Sequence, residues 1–108
     1  ISMEELAKVF RAQHYSAENK PHRLQKVIEA HPWTVNHPWT AQGWLPITQA
    51  AGSHGDRKLI EFLLDHGADP ALLVGDPDNR ASVPKMARYG AHNELSLWLE
   101  QVIEERSA

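Results

Sequence analysis

The stretch GWLPITQAAGSHGDRKLIEFLLDHGADP, residues Gly43 to Pro70, decides the fold, because a helix, a turn, a second helix and the loop after it can all be read from it. Gly43 suits a turn, and Pro46 suits a first helical position, where its missing amide proton costs nothing; a short helix is expected to begin there. Ala50 and Ala51 leave room for a close neighbour. After Gly-Ser-His-Gly, the residues Leu59, Ile60, Leu63 and Leu64 recur at three-to-four spacing, with Arg57, Lys58, Glu61 and Asp65 mostly opposite, as in a helix buried along one stripe. Gly67 is placed to end that helix in a left-handed conformation. Two short antiparallel helices cannot bury both their faces alone, so the unit requires copies above and below it.

Those residues carry a resemblance. GWLPITQAAG followed by LIEFLLDHGADP resembles an ankyrin repeat, whose usual form is G-x-T-P-L-H-x-A-A and then I-V-x-x-L-L-x-x-G-A-D. Leu45 stands where that form has threonine and Thr48 where it has histidine, and the Gly52 to Gly55 turn is one residue longer. Downstream, SVPKMARYGAHNEL resembles the T-A-L-D-L-A-R-x-x-G-H-x-E-I version of the first helix and turn, with Ser82 as a capping hydroxyl and Ala91 where glycine is usual. Upstream, EAHPWTVN resembles the A-H-P-x-x-V-N ending common in bacterial ankyrin proteins. The resemblance implies an all-α fold, an ankyrin-repeat solenoid of three helix-turn-helix repeats joined by hairpin-like loops. The repeats would lie at about 3–36, 37–69 and 70–106 of one domain, 3–108, with the first and last as caps.

Reading outward to the termini, Leu6, Val9 and Phe10 are expected on the buried face of a first helix from Met3 to His14. Pro21 can open a second, with Leu24, Val27 and Ile28 as its stripe and His31-Pro32 as its end. Leu95, Trp98, Leu99, Val102 and Ile103 form the stripe of the last helix, with Trp98 in the core. Ile1 and Ser2, ahead of Met3, are expected to be an added remnant and no part of the fold. HPWT occurs at 31–34 and again at 37–40, a spacing too short for an architectural repeat and so a coincidence within a loop.

Composition removes several functional classes. At 108 residues the chain makes one domain with a modest core, and 42% hydrophobic with 23% charged residues is the balance of an ordinary globular protein. A net charge of −3 disfavours general nucleic-acid binding. Without cysteine there are no disulfides, no thiol catalysis and no cysteine zinc site. No apolar run approaches a membrane span or a secretory leader, so a cytoplasmic protein is expected.

No catalytic motif is present, neither a glycine-rich phosphate loop nor G-x-S-x-G nor H-E-x-x-H, and no enzyme activity or cofactor is expected. Seven histidines raise the alternative of a metal-binding or hydrolytic site from His31, His37, His54 and Asp56, but no i, i+4 histidine pair completes a ligand set. The aromatic residues say more, since Trp33, Trp39 and Trp44 fall within twelve residues around one loop. Trp33 is expected to pack onto the first repeat, and Trp39 and Trp44 to meet a partner. The resemblance places Ala41, Gln42, Gln49 and Ser53 on the concave face beside them, followed by Arg80, Lys85 and Tyr89. With Arg88 the last basic residues form a local cationic group, which would suit a protein partner with an apolar knob beside acidic groups. The expected protein is a non-catalytic interaction module, monomeric or weakly dimeric. Self-association through the tryptophan loop is the structural alternative.

Overall fold

A computed structural model describes residues 1–107. Six α-helices follow in order, α1 (Met3–Ala17), α2 (Pro21–Ala30), α3 (Pro46–Gly52), α4 (Arg57–Asp65), α5 (Val83–Tyr89) and α6 (Asn93–Ser107). They pack as three consecutive pairs, α1 on α2, α3 on α4 and α5 on α6, and the first helices of the pairs lie side by side with α3 between α1 and α5. The architecture is all-α; among the described residues extended backbone pairs only as two isolated bridges, Trp39 with Trp44 and Val74 with Ala81. A radius of gyration of 12.9 Å is that of a compact globule of about this length. No described helix is long and apolar enough to cross a membrane.

The middle pair forms as its sequence requires. Pro46 opens α3, and Leu59, Ile60, Leu63 and Leu64 are the buried stripe of α4. Leu45 offers no capping side chain, and Thr48 replaces that function from within the helix. Its hydroxyl accepts from the Leu45 N–H at 3.0 Å and donates to the Leu45 carbonyl at 2.8 Å. The end of α4 is a Schellman motif, with Gly67 at φ +95° and the Ala68 N–H reaching back to the Leu63 carbonyl. The end of α5 repeats it with a different residue in the left-handed position, Ala91 at φ +64°, followed by His92 N–H on the Ala87 carbonyl.

Glycine is required one position earlier, at residue 90, and there the reason is contact. Gly90 has an ordinary negative φ, but a Cβ there would stand 2.5 Å from the Gly52 carbonyl oxygen and 2.8 Å from the His92 ring. The end of α5 lies directly on the end of α3, and only a residue without a side chain fits between them.

Three expectations change. In α1 the buried stripe is Val9, Ala12, Gln13 and Ser16, whereas Leu6 and Phe10 stay 38% and 47% exposed. The helix turns its small residues inward, so that α3, with Ala50 and Ala51, can come close. Ser2, expected to stand outside the fold, is the N-cap of α1. Its hydroxyl accepts from the Glu5 N–H at 3.1 Å while the Glu5 carboxylate accepts from the Ser2 N–H at 3.0 Å. Residues 32–36, expected as loop, form a 3-10 turn (Pro32–Asn36) with Thr34 and Val35 buried. The two HPWT copies thus adopt different backbones, Thr34 buried in the turn and Thr40 exposed at φ +67°.

The Ser2 backbone N–H first, and its side chain second, hold the Glu5 carboxyl below its ordinary value. A lowered folded-state value means that this support of the first turn is present at neutral pH and is lost as pH falls through that value. Ser2→Ala should therefore move Glu5 part of the way back to ordinary carboxylate titration by NMR; an unmoved curve would rule out the side-chain contribution. Gly90→Ala should lower stability to urea by about 1–3 kcal/mol through overpacking, while Ala91→Gly should raise it by up to about 1 kcal/mol by relieving the left-handed alanine. Unchanged midpoints in both would show that this junction does not limit stability.

Candidate functional site

Each of the second and third helix pairs is preceded by a hairpin-like finger. In the first finger Trp39 and Trp44 exchange both backbone hydrogen bonds, at 2.8 and 2.9 Å, and the tip turns through Thr40, with Gly43 N–H on the Thr40 carbonyl. In the second, Val74 and Ala81 exchange theirs at 2.9 and 2.7 Å. The fingers are joined to each other, because the Gly75 N–H donates to the Gln42 carbonyl at 2.8 Å. Gly75 is left-handed at φ +105°, and a Cβ there would lie 3.0 Å from the Asn79 oxygen, so the base of the second finger is built on glycine.

The first finger is also fastened to α1. The buried Gln13 side chain donates from Nε2 to the Trp44 carbonyl at 2.9 Å and to the His37 carbonyl at 3.3 Å, while its Oε1 is buried without a partner among the described residues. Trp39 lies against Phe10 with ring centroids 5.7 Å apart, and Phe10 stacks in turn on His14 at 5.4 Å. Trp44 packs partly on the core. Hence α1 holds both tryptophans of the finger, one through its backbone and one through its ring.

Two hollows flank the fingers. The inner one, of about 230 Å³, is lined by Gln42, Trp44, Asp76, Asn79, Met86 and Tyr89 among others. The outer one, of about 310 Å³, includes Ala41, Gln42, Leu72, Leu73, Pro77 and Arg80. Gln42 is shared between them. Of the residues singled out from the sequence, Gln42, Trp44 and Tyr89 are brought together on the inner side, and Lys85 stands beside them with Nζ 5.6 Å from the Tyr89 centroid. Ala41 and Arg80 belong to the outer side.

The rest serve other purposes. Ser53 Oγ donates to the Gln49 carbonyl at 2.6 Å, and the Ser53 carbonyl accepts from His92 Nε2 at 2.7 Å, so these residues close the α3 turn onto α5. The cationic group does not assemble, because Arg88 turns toward α6, where it bonds Ser96 at 2.9 Å and pairs with Glu100 at 2.8 Å. Trp33, expected to pack inward, is 42% exposed and meets the His37 ring edge-on at 5.6 Å. Trp98, expected in the core, packs against it half-buried, with the Arg57 guanidinium over its ring at 4.2 Å from the ring centroid.

Nor do the histidines converge. His54 donates from Nδ1 to the Ala17 carbonyl at 3.0 Å, His66 to Phe62 at 2.9 Å and His37 to Pro38 at 3.0 Å. Asp56 caps α4 by accepting from the Lys58 N–H at 3.0 Å. Among the described residues no three His, Asp or Glu side chains group as metal ligands. A third hollow, of about 440 Å³, lies at the far ends of α3 and α5 against Arg57, His92 and Trp98, and there Arg57 is already engaged by Glu61 as well as by the indole.

Sequence reasoning missed Gln13, Met86 and Asp76. Gln13 had a signal, since it follows Val9 at i+4 and adjoins Ala12 on the buried face. Asp76 and Met86 had none without knowledge of how the second finger folds back. No protein-family model matches the chain, and no curated protein matches it significantly.

Gln13→Leu keeps the volume and removes the anchor of the first finger. We expect a loss of about 1–2 kcal/mol and faster hydrogen exchange at the Trp39 and Trp44 amides, with the α4 amides following only the global change. Unaltered exchange in the finger would mean that its own hairpin bonds suffice to hold it.

Proposed function

We propose that this protein is a small ankyrin-type stack that binds a protein partner through its two fingers and the inner hollow, without chemistry of its own. The sequence resemblance of the middle and last units supports the family reading, and the paired helices with a finger before each of the last two units are consistent with it. The observation that carries the functional reading is the aromatic display at the base of the fingers. Tyr89 is 63% exposed, and Trp44 is half-buried in the same hollow. Tryptophan and tyrosine dominate binding hot spots, because each offers a large rigid surface with one polar handle.

Rigidity supports the same reading. The fingers are tied to each other, to α1 and to the core before any partner arrives, so little ordering entropy is lost on association. In this reading the protein works in a bacterial cytoplasm as an adaptor, an inhibitor or a toxin-neutralising partner. Trp39, Trp44 and Tyr89 act as anchors, Gln42 as a polar contact with Lys85 as the charge beside Tyr89, and Ala41 and Arg80 as contacts at the outer side of the fingers.

The test compares retention of host proteins on the immobilised parent, on Trp44→Ala/Tyr89→Ala and on Leu73→Ala/Arg80→Ala, each first shown to be folded by circular dichroism and thermal melting. A protein retained by the parent and weakened at least about tenfold by the first pair, about 1.4 kcal/mol or more, is the expected result. Loss with the second pair alone would move the site to the outer hollow. Equal retention on all three would remove the fingers as the binding surface.

A further inference from the structure

The two hollows differ in charge. Among the described residues lining them, Arg80 is the one charged side chain of the outer hollow and Asp76 the one charged side chain of the inner. Both come from the same short loop of the second finger, whose Asp76 carbonyl accepts from the Asn79 N–H at 2.9 Å and so turns the chain between them. The residues lining the inner hollow thus include Trp44, Tyr89, Met86 and Asp76, and the Asp76 carboxylate makes no ion pair among the described residues.

We infer that the inner hollow receives an arginine side chain of the partner, its guanidinium laid on the Trp44 and Tyr89 rings and bonded to the Asp76 carboxylate; the inference rests on the proposal that this surface binds a protein. Aromatic faces attract cations, with tryptophan the strongest. A planar guanidinium stacks on such faces and presents paired N–H donors to a carboxylate, which a lysine ammonium cannot do in the same way. The Tyr89 ring already attracts a cation within the chain, Lys85 Nζ at 5.6 Å from its centroid. The Lys85 charge opposes a second cation at that ring, and Asp76 offsets it. The sign of the Lys85 effect is thus a test, since a hollow made for an acidic partner would need Lys85 whereas one made for arginine is better without it.

The probe is the peptide acetyl-Gly-Arg-Gly-amide, titrated into the ¹⁵N-labelled full chain and followed by NMR, with the citrulline and lysine peptides as isosteric neutral and non-planar controls. The expected result is saturable movement of the Trp44 indole N–H and of the Gly75 and Asp76 amides. Binding should be weaker by about fivefold or more for lysine and absent for citrulline, the scale of one cation–aromatic contact. Asp76→Asn should weaken the arginine peptide by at least about fivefold, and Lys85→Gln should tighten it. Equal response to arginine and citrulline, response of residues elsewhere, or weakening by Lys85→Gln would each overturn the assignment, and equal binding of lysine would overturn its guanidinium form. If a captured protein depends on Trp44 while the arginine peptide leaves Trp44 unmoved, the binding surface stands and the arginine assignment alone falls.

Discussion

Everything in this molecule depends on how closely α3 can lie between α1 and α5. That distance is set by small residues, Ala12 and Ser16 from α1, Ala50, Ala51 and Gly52 from α3, and Ala87 from α5 with Gly90 at its C-terminal cap. Where Gly90 meets the Gly52 carbonyl, any side chain would force the two helices apart. Close helices leave little room for large apolar residues between them, and most of the larger ones lie on the second helices of the pairs, as Leu24, Ile28, Ile60, Leu63 and Leu99, with Ile47 the large fully buried residue of α3. Phe10 and Leu6, the residues of α1 that look most like core, remain at the surface for the same reason.

The close stack also determines what the fingers can do. Since α1 lies against α3, its Gln13 can reach the backbone on both sides of the first finger, and its Phe10 can support Trp39. The first finger then holds the second through one backbone bond from Gly75 to Gln42. A surface that would otherwise be two loops becomes one shaped ridge with a different chemistry on each flank.

Much of this was legible in the sequence, for identifiable physical reasons. The helix pairs at 46–65 and 83–107 announced themselves because proline, glycine and the apolar period act locally, within one turn of the residue concerned. Ser82 as a cap and Gly67 as a stop belong to the same class of signal. The first unit was read less well, since its buried stripe uses alanine, glutamine and serine, which carry no hydrophobic period. The grouping of the site residues was legible only in part. Trp44, Gln42 and Tyr89 line one hollow, but Arg80 and Arg88 leave the group in opposite directions, because loop curvature and the Glu100 carboxylate act over distances that a local pattern does not encode.

The side-chain bonds between units have one further property. Gln13 reaches His37 and Trp44, Asn36 reaches Gly67 and Asp69, His54 reaches Ala17 and His92 reaches Ser53, across 24 to 39 residues of sequence. Each of these links joins neighbouring units. None among the described residues joins the first unit to the third. A chain wired in this way can assemble by adding one helix pair to the next, so loop closure never has to span the whole polymer, and the search for the folded state is correspondingly short.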